Sequence, residues 1–139
     1  MKIGISGLGM MGGSLGLALS PTCSVIGYDP SPAACDMALR WNAIRAAVAS
    51  PTDLAECDIV VLAGPPSSIA QAAQEVLRSG RAMVTDIAGV KAPIVAALAD
   101  VAGVERFVGG HPMAGSERSG VSAGSSEYCF GRSLWNRQF

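Results

Sequence analysis

The stretch Gly7-Leu8-Gly9-Met10-Met11-Gly12 has the residue types and spacing to hold a phosphate. In a G-x-G-x-x-G run between a strand and a helix, the first glycine makes a tight turn. The second lets backbone approach a pyrophosphate, and the third allows close helix–strand packing. The helix N-terminus adds N–H groups and the positive end of its dipole. A ligand-free turn in an α/β fold would use the same glycines. Asp29 lies 22 positions after Gly7, near the roughly 20 at which such folds place the acid that binds a ribose 2′-OH. A carboxylate there repels a 2′-phosphate, and no Lys or Arg follows before Arg40, so the pattern reads as an NAD site rather than an NADP site. The plainer alternative for Asp29 is a cap on the helix that follows Pro30. Gly64-Pro65-Pro66 makes a rigid turn after an apolar run and would pack a nucleotide by shape, although an ordinary strand-to-helix connection looks the same.

His111, the only histidine, sits in Gly109-Gly110-His111-Pro112-Met113-Ala114-Gly115-Ser116-Glu117. Histidine titrates near neutrality and suits the acceptance of an alcohol proton during hydride transfer. A lone histidine is also often structural, and the residues alone leave both readings open. Ser116 and Glu117 are placed to hold its tautomer or to touch a substrate. Metal chemistry is not expected: Cys23, Cys35, Cys57 and Cys129 are scattered, with no C-x-x-C pair, and one histidine does not complete a zinc set with that spacing. Scattered thiols fit a reducing cytoplasm.

These residues need a scaffold, and the alternation of short apolar runs with Ala-rich stretches predicts a parallel sheet covered on both faces. Strands are expected at Lys2 to Ser6, Ser24 to Tyr28, around Ala47 to Ala49, Asp58 to Ala63, Ala82 to Thr85 and Arg106 to Val108. Helices are expected at Met11 to Leu19, Ala33 to Trp41, from a Ser67 or Ser68 cap through Leu77, and at Lys91 to Val101, with a brief turn at Pro51 to Leu54. Beyond Gly115 the chain reads as loop. The fold class is α/β: a Rossmann-type, doubly wound, mostly parallel sheet forming one domain over residues 1–139, with an atypical tail of about 15 residues.

Composition narrows the partners. The 139 residues are 50% apolar and carry a formal charge of −1, which suits a packed core and offers no electrostatic footprint for nucleic acid. The apolar N-terminal run is broken by five glycines between Gly4 and Gly13, which disfavours the helix of a signal peptide. No stretch approaches the roughly 18 apolar residues of a membrane span. A cytoplasmic protein without membrane or nucleic-acid partners is expected.

With these residues in view, the sequence resembles the prephenate dehydrogenase family, which comprises the prephenate and arogenate dehydrogenases of tyrosine biosynthesis. The carrying stretches are G-L-G-M-M-G-G-S-L-G (Gly7 to Gly16), G-Y-D (Gly27 to Asp29), D-I-V-V-L-A-G-P-P (Asp58 to Pro66), T-D-I-A-G-V-K (Thr85 to Lys91) and F-V-G-G-H-P-M-A-G-S-E-R-S-G-V (Phe107 to Val121). The resemblance implies NAD-dependent oxidative decarboxylation of prephenate or arogenate, with His111 catalytic. It also implies Ser116 and Glu117 at the substrate, and Gly7, Leu8, Gly9, Met10, Met11, Gly12, Asp29, Gly64, Pro65, Pro66 and Asp86 at the cofactor. Gly89 stands where the family carries a serine that bonds substrate and histidine. Family members continue into a helical second domain, so the expectation is a truncated or frameshifted member whose exposed apolar surface favours self-association. The other readings are a catalytically silent NAD-binding remnant and a dehydrogenase of the 3-hydroxyacid type, which lacks the G-G-H-P-M-A-G-S-E stretch.

Overall fold

Six short strands line up in parallel in the order β3-β2-β1-β4-β5-β6, the doubly wound arrangement in which strand order reverses between β1 and β4. The structure is a computed structural model and describes residues 1–111. Ser116, Glu117, Cys129 and the expected loop and tail beyond Gly115 lie outside the described residues. The strands are β1 (Lys2–Ser6), β2 (Ser24–Tyr28), β3 (Ala46–Ala47), β4 (Ile59–Leu62), β5 (Met83–Asp86) and β6 (Phe107–Val108). The helices are α1 (Met10–Leu19), α2 (Pro32–Arg40), α3 (Pro66–Ser79) and α4 (Ala92–Leu98), with 3₁₀ turns at Pro51–Leu54 and Val104–Arg106.

Alternation along the strands divides the core into two layers. Ile3, Ile5 and Val25 join Leu8, Ala38 and Ile44 on the face covered by α1 and α2. Ile26, Val60, Leu62 and Val84 face the other way, into Ile69, Val76, Leu77, Ile94 and Leu98 from α3 and α4. Because strands buried on both faces need apolar residues at every position, β4 reads as an unbroken run, I-V-V-L. Burial pushes the Cys57 thiol up, helped by Asp58 and opposed by Lys2; this thiol behaves as a small apolar side chain.

Several boundaries differ from the sequence reading. The helix α3 starts at Pro66 without a side-chain cap, because a proline in the first turn has no N–H to satisfy. The hydroxyl of Ser68 turns back to the Pro65 carbonyl at 2.9 Å instead. The helix α4 stops at Leu98 rather than Val101 and begins after Lys91, whose ammonium is drawn inward to Asp86. The third strand is reduced to Ala46–Ala47, paired with Ile26 and Gly27.

Arg106 ties the last strand to the body of the fold. Its guanidinium donates to the Leu77 carbonyl at 2.6 Å and the Ala82 carbonyl at 3.0 Å, joining the C-terminal turn of α3 to the start of β6. Cationic donors suit carbonyls left open at a helix end. Arg106→Met is therefore expected to lower unfolding free energy by about 1–3 kcal/mol, measured by urea titration, with most of its apolar stem retained.

Candidate functional site

The first turn of the chain is packed so closely that glycine is required on both sides of it. Gly7 has φ +98, and a Cβ there would lie 2.5 Å from the Gly64 nitrogen in the turn after β4. A Cβ on Gly12 would lie 1.9 Å from the Gly7 carbonyl oxygen. These two contacts bring α1 down onto the carboxyl edge of β1 and β4. Gly9 is different, for a Cβ there would meet no protein atom within 4 Å. It is also the N-cap of α1, which has no side-chain cap and no acidic residue in its first turn. An uncapped helix N-terminus with its flank open is a cradle for an anion.

Asp29 braces this turn from β2. One carboxylate oxygen accepts the Leu8 N–H at 2.8 Å and the other accepts the Ser31 N–H at 2.9 Å. The cap of α2 is Ser31, whose side chain accepts from Ala34. Asp29 is thus oriented from both sides while still facing the open cleft, and an acceptor held this way suits a ribose hydroxyl.

The cleft encloses about 860 Å³, within the range of about 300–1,000 Å³ usual for small-molecule sites. Gly7, Gly9, Met10, Met11, Asp29, Gly64, Pro65 and Pro66 line it, as do Ser6, Tyr28, Pro51, Ser68, Gln71, Glu75 and residues 87–89. Of the second group, Tyr28 and residues 87–89 fall in stretches that carry the family resemblance, whereas Pro51, Gln71 and Glu75 escaped sequence reasoning because no motif marks them; only the sheet order brings these three into one cleft with Asp29. Among the described residues the charged side chains on the wall are Asp29 and Glu75, so a 2′-phosphate finds no cation among these lining residues. The donors, the open flank at Gly9 and the ribose acceptor fit a dinucleotide lacking that phosphate.

Three expected cofactor residues do not line the cleft. Leu8 is fully buried beneath it and contributes only its N–H to Asp29. Gly12 acts through packing. Asp86 is fully buried, its carboxylate bonded to the Ala88 N–H at 3.0 Å, the Gly110 N–H at 3.2 Å and the Lys91 ammonium. It stands under the site. His111 follows β6, and a Cβ on Gly89 would lie 3.3 Å from its Nε2, which sets the imidazole beside a residue of the cleft wall. Counted across the sheet, Asp29 at β2 and Gly89 beyond β5 are three strand spacings apart, about 14 Å at roughly 4.8 Å each. Among the described residues no cluster of three or more His, Cys, Asp or Glu side chains suits a metal, and no helix is long and apolar enough to cross a membrane.

Comparison with known proteins gives a consistent result. The family described as prephenate dehydrogenase, nucleotide-binding domain, matches residues 15–135. The prephenate dehydrogenase of Bacillus subtilis (strain 168) is 34% identical over 134 residues, covering 91% of this chain and 36% of that protein. The A. aeolicus prephenate dehydrogenase in complex with hydroxyphenyl propionate and NAD+ superposes with a TM-score of 0.82 at 31% identity, over 92% of this chain and 47% of that one. The Synechocystis arogenate dehydrogenase gives 0.78 at 28% identity, over 90% and 45%. The chain thus spans about a third of the curated relative and just under half of the solved ones.

The different surroundings of Gly9 and Gly12 can be separated by substitution. Gly9→Ser keeps a residue favoured at an N-cap and meets no protein atom, so its thermal midpoint is expected to stay near that of the unaltered chain. Its side chain stands in the cleft and competes for the helix N–H groups, so affinity for NAD should fall at least about tenfold by calorimetry, the loss of one charge-assisted hydrogen bond. Gly12→Ala is expected to lower the midpoint itself.

Proposed function

The chain belongs to the prephenate dehydrogenase family, and from that premise we propose that it binds NAD across the carboxyl edge of its sheet and serves the oxidative decarboxylation of prephenate. The observation that carries this reading is the span of the cleft, with a ribose-type acceptor at Asp29, a phosphate cradle at Gly9 and His111 beside the far wall at Gly89. The adenosine end belongs at β2, the pyrophosphate over α1, and the nicotinamide toward residues 87–89.

Bound NAD supplies the acceptor for a hydride from the ring carbon that carries the hydroxyl. The protein's part is to hold that carbon against the cofactor and to take the hydroxyl proton at His111. As the C–H pair leaves as hydride and the proton passes to the imidazole, the bond to the ring carboxylate breaks. Its electrons aromatise the ring and release carbon dioxide, and the phenolate oxygen so formed takes the proton back from His111 to give 4-hydroxyphenylpyruvate. Aromatisation supplies the driving force, so orientation and proton removal are what remains for the side chains. Ser116 and Glu117 are proposed as substrate contacts. With arogenate the same steps would give tyrosine.

A second reading, an NAD-binding half with no turnover of its own, is favoured by Gly89. A side chain at this position would touch His111, and glycine offers it no hydroxyl.

The two readings share NAD binding and part at turnover. On the first, His111→Ala lowers kcat for NADH formation from prephenate by about 10²–10⁴-fold, the usual contribution of a general base, and leaves the Kd for NAD unchanged. On the second, neither chain produces NADH. Asp29→Ala is expected to weaken NAD and to narrow its advantage over NADP in the same titration, because the repelling carboxylate is gone.

A further inference from the structure

Beneath the cleft wall, Asp86 and Lys91 form an ion pair with side-chain exposures of 0% and 2%. Resting on the reading of His111 as the proton acceptor, we infer that this buried pair is the positioning device for His111, holding the imidazole against the cleft through the backbone of residues 109–110. Neither side chain lines the cleft. Together they are instead engaged with the loop of residues 87–89 at its far end and with the loop after β6. Asp86 accepts the N–H groups of Ala88 and Gly110, while the Lys91 ammonium bonds Asp86 and the Ala88 carbonyl. The loop after β5 and the loop after β6 are thereby fastened to one anionic centre.

Gly109 lies flat on this pair, with its Cβ position 3.3 Å from Cδ of Lys91 and 3.8 Å from the Asp86 carboxylate. His111 is the next residue after the anchored Gly110, so its direction of exit is set where the chain leaves Asp86. The imidazole then arrives beside Gly89, one residue beyond the Ala88 that the same pair grips at both its N–H and its carbonyl. Desolvation of the buried charges offsets much of their mutual attraction, so an apolar pair of similar volume could match the ion pair itself but would leave the N–H groups of Ala88 and Gly110 without their acceptor. What apolar side chains lack is direction: they would not tie residue 110 to residue 88 at a fixed separation. The retained charges thus serve geometry, and a displacement of about 1 Å at a proton acceptor is enough to cost about 10²-fold in rate.

His111 is the sole histidine, so its imidazole protons give unambiguous NMR signals. In the unaltered chain a nuclear Overhauser contact is expected between the Gly89 α-protons and the His111 Hε1. The Gly110 amide should exchange with solvent at least about a hundredfold more slowly than in an open loop. In Lys91→Met the contact is expected to vanish and the Gly110 protection to fall, with the Kd for NAD within about twofold and kcat lowered about 10²-fold against a smaller change in KM. An unprotected Gly110 amide in the unaltered chain would overturn the inference, and so would a Gly89–His111 contact that survives in Lys91→Met. The contact and the exchange rate need no turnover, so they decide the positioning even if the functional reading fails. The exchange rate needs no variant, so it decides even if Lys91→Met does not fold.

Discussion

The approach of Gly12 to the carbonyl of Gly7 is the constraint from which the rest of the site follows. With no side chain between them, α1 begins directly over the end of β1, and its N-terminus opens at the point where the strand order reverses. Gly7, pressed against the Gly64 nitrogen, fixes the neighbouring turn at the same time. The floor of the cleft is therefore backbone rather than side chain. Backbone can come close to a pyrophosphate and present N–H groups without first being desolvated by its own side chains. A methyl group at either of these two positions would have to push the two turns apart.

Two aspartates frame that floor in the same way and for different ends. Each sits at the carboxyl end of its strand or just beyond it and accepts backbone N–H groups from two loops: Asp29 from Leu8 and Ser31, Asp86 from Ala88 and Gly110. Asp29 keeps one flank in the cleft, where it can meet a ligand. Asp86 is closed off by Lys91 and acts only inward. Sheet order then places one on the cleft wall beside β2 and the other beneath residues 87–89, so the same bonding pattern leaves one carboxylate open to a ligand and closes the other off.

Most of the fold was legible in the sequence because its signals are local. The strands β1 and β2 and the turn at Pro51–Leu54 appear at the expected residues, each bounded by Gly, Pro or Asp. The start of α3 was misread because serines are strong caps in general, whereas here Pro66 removes the need for one. The later start of α4 has a tertiary cause, since Lys91 is pulled from the helix start to the buried carboxylate. The glycine turn and Asp29 were legible as a pair from spacing alone. The role of Asp86 was not, because a motif records that an acid is present without recording which way it faces. Pro51, Gln71 and Glu75 carry no signature at all and reach the cleft only through the crossover that puts β4 beside β1. Ser116 and Glu117 rest on the sequence alone.

The central claim is that a dinucleotide lies across this edge with its nicotinamide end toward residues 87–89. Amide chemical-shift mapping during a titration with NAD tests it most directly. The account predicts saturable shifts at Leu8, Gly9, Met10 and Gly64 and at the residue 87–89 loop. NADP at the same concentration should leave those amides close to their free positions. Shifts clustered on another face of the sheet, or an equal response to both dinucleotides, would contradict it.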